Sequence, residues 1–158
     1  MKSLVVYYSR DGSTRKVSEE LAKILGSDVE ELTDKKGRKG PIGYMMGGKD
    51  AAMKKLTDLG SVKYDPSQYD IVVVGTPVWA MTMSPAVRTY LTRMKGKMRK
   101  AAFFATYGGS GGDRAVKHMG ELSGLKPTAT LGLTESEVKS GSYTQKLREF
   151  SEDIPGNP

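Results

Sequence analysis

The sequence predicts an α/β domain in which a parallel sheet is covered by helices on both faces. Three observations carry that expectation. Short apolar runs alternate with stretches of helical periodicity, strand then helix, five times along the chain. The most apolar run, Ile71-Val72-Val73-Val74, is β-branched throughout and suits a strand buried on both faces. No repeat or linker interrupts the 158 residues, a length that fits one compact domain.

Ser3–Ser9 reads as a first, central strand and Arg10-Asp11-Gly12-Ser13 as a turn. Val17, Leu21, Ile24 and Leu25 then share one helical face, with Gly26 as the stop. Asp28–Leu32 is a weak second strand. Thr33–Gly48, rich in Gly and Lys, reads as an extended connection, and Lys49–Leu59 as a helix with Ala52, Leu56 and Leu59 inward. Asp65-Pro66 opens a turn into the strand at Ile71. Gly75-Thr76-Pro77 is expected to end that strand, because glycine permits a sharp exit and Pro77 removes a ladder donor. Val78–Met83 would then be a loop, and Ser84-Pro85 the cap and first turn of a helix. Ala101–Thr106 is a fourth buried strand, followed by the Gly-rich loop Tyr107–Gly112 and a helix capped by Asp113. Thr128–Leu133 is the last strand, Ser140–Glu152 the final helix, and Pro155–Pro158 should fray.

Composition removes several kinds of chemistry. There are no cysteines, so disulfides, thiol catalysis and Cys-ligated metal centres are excluded, and any redox chemistry needs a bound cofactor. The one histidine, His118, cannot build a zinc site and is expected on a helix surface. Lys2 is followed at once by a strand-like stretch, so no spanning or secretory segment is expected, and the compartment expected is the cytoplasm.

Net charge is +7, from 25 basic and 18 acidic residues. Arg88, Arg93, Lys95, Lys97, Arg99 and Lys100 occur with no acid among them, and Lys35, Lys36, Arg38 and Lys39 form a second run. These runs read either as a surface for an acidic partner or as solvated helix ends, where cations favour the negative pole of the dipole. Aromatic residues are not interleaved with them, so nucleic acid is not expected as a partner. Gly43 to Lys49 fits the spacing GxxxxGK, but Asp50 stands where a magnesium-binding hydroxyl belongs and no apolar strand precedes it.

Every candidate site follows a strand. A parallel sheet puts the carboxyl ends of its strands on one edge, so Ser9–Thr14, Pro77–Met83 and Tyr107–Gly112 converge there. The first loop opens a helix and carries hydroxyls, which favours a phosphate. The second holds Trp79, the only tryptophan, which either folds into the core or faces a ligand. The third brings glycine backbone close beside a tyrosine. A phosphate attached to a planar ring system would use all three.

The stretches YYSRDGSTRKVSEELA, GTPVWAMTMSPAVRTYL and FFATYGGSGGD resemble the phosphate loop and the two flavin loops of the flavodoxin-like family. That resemblance implies a three-layer sandwich with a five-stranded parallel sheet in the order 2-1-3-4-5, and FMN in the crevice between strands one and three. Ser9, Arg10, Gly12, Ser13 and Thr14 would hold the phosphate. Pro77, Val78, Trp79, Ala80 and Met81 would contact the isoalloxazine ring, with Tyr107, Gly108, Gly109 and Gly111 opposite. Three departures stand out: Asp11 in place of a hydroxyl residue, Met81 where many relatives have Gly, and a basic rather than acidic chain. The function implied is an FMN-binding electron carrier whose redox partners are acidic at their docking face, with no membrane partner. An NAD(P)H-dependent reductase of quinones or flavins, and a flavin-free scaffold, are the alternatives. A receiver domain is not expected, since Gly75-Thr76-Pro77 stands where its acceptor Asp would be.

Overall fold

A computed structural model describes residues 2–154. The expected fraying of Pro155–Pro158 lies outside the described residues. The elements are β1 (Ser3–Tyr7), α1 (Ser13–Leu25), β2 (Asp28–Glu31), α2 (Gly40–Ala52), β3 (Ile71–Trp79), β4 (Thr82–Met83), α3 (Pro85–Arg93), β5 (Ala101–Tyr107), α4 (Gly112–Ser123), β6 (Thr130–Thr134), α5 (Glu135–Ser140) and α6 (Thr144–Glu152). The sheet order is β2-β1-β3-β5-β6, all parallel, with the short β4 antiparallel to β3. The five long strands therefore run 2-1-3-4-5.

Alternation along the strands builds two cores. Leu4, Val6, Val72, Val74 and Phe103 face one layer with Ala86, Tyr90 and Met119 of α3 and α4. Val5, Ile71, Val73 and Phe104 face the other, with Val17 and Leu21 of α1 and Leu147 and Phe150 of α6. Parallel strands covered on both faces in this way can be apolar at every position, as Ile71–Val74 is.

Four expectations need correcting. First, β3 does not end at Gly75; it runs on to Trp79. Gly75 is there for close approach, since a Cβ on it would lie 2.1 Å from Cζ of Phe104. Second, 33–48 is not an extended connection, because α2 begins at Gly40. The expected helix over Lys49–Leu59 survives only in its first residues. Leu56 is exposed, and Leu59 is buried through a bridge to Asp34. Third, Asp113 sits inside the first turn of α4, whose cap is Gly111. Fourth, the final helix, α6, starts at Thr144 rather than Ser140, and a short helix that was not expected, α5, precedes it. Thr134 and Glu137 form a capping box that starts α5, and Gly141 ends it in a left-handed conformation.

The basic runs also divide. Arg88 and Arg38 are buried, so neither belongs to a surface. Arg38 is held by Asp34 (3.0 Å) and Asp50 (2.8 Å), which places the GxxxxGK segment in a helix clamped by an ion pair. The exposed basic group Arg93, Lys95, Lys97, Arg99 and Lys100 runs from the last residue of α3 to the start of β5, at the amino edge of the sheet. Seven residues of β5 at 3.3 Å each put it about 23 Å from the carboxyl edge.

Candidate functional site

A cleft of about 310 Å³ opens at the carboxyl edge of the sheet, walled by the loop after β1, the end of β3 and its turn, the end of β5 with Gly108, and residues of α2 and α5. Larger depressions lie beside α3 (560 Å³), between α4 and β6 (660 Å³) and between the loop after β1 and 31–39 (410 Å³), but none of these has walls from β1, β3 and β5 together.

One end of the cleft is built for an anion. Gly12 caps α1 at φ 101°, a left-handed turn that a side chain would strain, and its amide is bound by Ser9 Oγ at 3.0 Å. The first backbone bond of the helix runs from Lys16 N to Gly12 O at 3.0 Å. The amides of Ser13, Thr14 and Arg15 therefore precede any intrahelical partner. Because Ser9 Oγ accepts from Gly12, its own proton is free to be donated outward. Thr14 and Thr106 share a buried hydroxyl–hydroxyl bond of 2.8 Å, which uses one of their two protons and leaves the other. Asp11 is exposed at the rim of the cleft, where it pairs with Arg10 at 2.8 Å. The Arg10 guanidinium is otherwise tied to the carbonyls of Arg38 (2.7 Å) and Gly40 (3.3 Å) and lies 5.0 Å from the Tyr44 ring. It clamps the approach to α2 while lining the cleft.

The other end is a rigid hairpin. Val78 pairs with Met83 and Trp79 with Thr82, leaving Ala80 and Met81 as a two-residue turn. Both have positive φ, 49° and 65°, as a type I′ turn requires, although neither is a glycine. Trp79 is half-buried: its ring meets Tyr8 edge-on at 5.6 Å, and α2 approaches so closely that a Cβ on Gly47 would lie 2.8 Å from it. Trp79 thus packs partly against the core while also walling the cleft. Burial first, and then Asp34, push the neighbouring Tyr8 phenol up to about 12, so it stays neutral.

Behind the hairpin, Thr82 Oγ1 accepts from Arg88 at 3.1 Å and meets His118 Nδ1 at 2.8 Å. His118 is half-buried rather than on an open surface. Burial, with Arg114 next, holds its pKa below the usual histidine range. Burial likewise lowers Arg88, whose Nε has no partner. Among the described residues no group of His, Asp or Glu is placed to hold a metal ion, and no helix is long and apolar enough to cross a membrane.

The family model described as Flavodoxin matches residues 2–152. The chain belongs to the flavodoxin family. Among solved structures, a flavoprotein in complex with FMN from Lactobacillus acidophilus NCFM is 26% identical with a TM-score of 0.73, covering 89% of this chain and 98% of its own. The apo-form of a flavoprotein from the same organism is 27% identical with a TM-score of 0.63, over 87% and 95%. A flavodoxin from the domain Archaea shares the fold at 17% identity and a TM-score of 0.57, over 98% and 96%. No curated protein matches.

Of the residues expected at a flavodoxin site, the cleft brings together Ser9, Arg10, Ser13, Thr14, Pro77, Val78, Trp79, Ala80 and Gly108. Gly12, Met81, Tyr107, Gly109 and Gly111 do not line it. Gly12 acts through the turn it permits. Met81 packs on Gly111, and the Tyr107 ring lies over Gly112 and Gly132. The sequence reading missed Tyr44, Gly48, Thr106 and Glu135, which the cleft includes. Tyr44 and Gly48 lie in the segment read as a connection, and Thr106 in a strand read as core only. Glu135 had a signal: Thr134-x-x-Glu137 fits a capping box, which would have started α5 at the carboxyl edge.

Proposed function

We propose that this chain binds FMN in the cleft and works as an electron carrier. The observation that carries the reading is that the partnerless amides opening α1 and the indole of Trp79 stand at two ends of one cleft. The residues present fit the group. The amides of Ser13, Thr14 and Arg15, with the hydroxyls of Ser9 and Ser13, supply donors for a phosphate at the positive end of a helix. Trp79, Ala80 and Pro77 supply a flat, largely apolar wall, and Gly108 leaves backbone free on the opposite side. Bound FMN would supply one- and two-electron chemistry. The chain's own part is to hold the phosphate, fix the ring and exclude water from it.

The sequence carries no separate fingerprint for a nicotinamide nucleotide, which favours a carrier over a reductase. The +7 charge favours acidic redox partners, through association rate more than affinity. The protein loaded with FMN, mixed anaerobically with NADPH or NADH, should keep its flavin absorbance unchanged until a separate reductase is added. Rapid bleaching without one would make the protein an enzyme.

A further inference from the structure

Helix α2 is inside out. Gly43, Gly47, Asp50 and Ala51 face the protein, while Ile42 (74% exposed), Met45 (65%) and Met53 (57%) face solvent, with Leu56 (54%) just beyond. Ile42, Met45, Lys49 and Met53 fall at i, i+3, i+7 and i+11, one stripe on the outer side. Glycines on the inner side let α2 lie close to Arg38 and Trp79. That packing does not require large apolar side chains in water on the outer side. Exposed apolar side chains recurring along one face, with Lys49 set among them, mark a surface that something covers.

The surrounding charge indicates what covers it. From Lys35 to Leu56 the only acid is Asp50, which is buried and paired with Arg38. Every exposed charge in this span is a lysine: Lys35, Lys36, Lys39, Lys49, Lys54 and Lys55. Lys36 alone of these reaches Asp50, at 3.1 Å. Protein–protein interfaces are depleted in lysine, whereas exposed lysines set around solvent-facing apolar side chains suit the headgroups and acyl boundary of an anionic bilayer. The lysine stems pack along the acyl boundary while their ammonium groups reach the headgroups.

We propose that the outer face of α2 and the turn after it form a peripheral docking site for an anionic lipid surface. The absence of a spanning helix, from which no membrane partner was expected, does not bear on such a site. Tyr44 of the same helix lines the cleft, so docking here would bring the cleft mouth alongside the headgroups. The proposal holds whether or not the cleft binds FMN.

The test is cosedimentation of the full chain with vesicles of phosphatidylcholine alone, or with about a third phosphatidylglycerol. Binding to the anionic vesicles only, weakened by salt, is expected. Each lysine removed by Lys54→Gln or Lys55→Gln should lower the partition coefficient roughly 5-fold. The double variant Met45→Ser/Met53→Ser changes exposed side chains, so it should keep its melting temperature and lose at least roughly 10-fold in binding. Replacing Lys97 and Lys100 with Gln, in the turn before β5, should cost much less. Three results would overturn the proposal. One is no binding to anionic vesicles at low salt. Another is equal binding to soluble polyglutamate with the Met45/Met53 variant unchanged, which would assign the face to an acidic protein. The last is concentration-dependent dimerisation that this variant abolishes while vesicle binding persists, which would assign it to a second copy.

Discussion

Gly75→Ala is expected to destabilise the protein by about 3 kcal/mol, the upper end for overpacking a core. For a chain of this length that corresponds to a fall of roughly 6–12 °C in melting temperature. Gly75 sits in the middle of β3, between Tyr7 of β1 and Phe104 of β5. The Phe104 ring leans over it, with Cζ 2.1 Å from where the new methyl would stand. The ring cannot retreat, because Phe104 is fully buried and meets Phe150 of α6 at 6.4 Å. Adding Phe104→Leu should relieve the clash, so the double variant should lose less than the sum of the two single losses. Thermal denaturation of the three variants measures this. Strict additivity would mean that ring and methyl never meet.

Asp50→Asn is expected to cost a similar amount, about 3 kcal/mol, by a different route. Arg38 is buried with its charge and depends on two carboxylates, Asp34 and Asp50. Burial alone would lower its pKa, but the hydrogen bonds to Asp50 and Asp34 hold it above the ordinary value. One guanidinium nitrogen, Nη2, already has no partner, so losing Asp50 leaves a cation further undersupplied. The pair also ties α2 to the segment before it, and thereby holds Gly47 against Trp79. The pH dependence follows from the direction of the Asp50 shift. The Arg38 hydrogen bond lowers its folded pKa below the unfolded value of 3.8, so its contribution is fully present well above that value. It is lost as pH falls through the lowered folded value. Wild type and Asp50→Asn should therefore differ most near neutrality and converge in strong acid. A gap of equal size at pH 3 and pH 7 would show that the carboxylate charge is not what matters.

These two residues also show where sequence reading stops. Alternating apolar runs made the order of strands and helices legible, because periodicity is local. Gly75 looked like a strand end because local rules associate glycine and proline with turns; its reason is a ring from another strand, about thirty residues on. Helix α2 was hidden for two reasons. Its glycines lower helical propensity, and its large residues face outward, so the usual inward stripe is missing. The hairpin at Ala80-Met81 carried neither Asn nor Gly to announce it. Charge runs were read as surface, yet Arg38 and Arg88 are buried by partners and packing that the run itself does not encode. The candidate site was legible at the carboxyl ends of strands, as with Ser9–Thr14 and Pro77–Ala80, and hidden where it comes from α2 or α5.

The most direct measurement uses Trp79 as its own reporter. As the only tryptophan, it makes the protein's indole fluorescence a signal from the cleft. Titrating flavin-free protein with FMN should quench that fluorescence saturably, at micromolar concentration or below. Riboflavin, which lacks the phosphate held by the start of α1, should bind at least about a hundredfold more weakly, in keeping with the loss of several charge-assisted hydrogen bonds. Fluorescence that ignores FMN up to about 100 µM, or riboflavin that binds as tightly as FMN, would contradict the account.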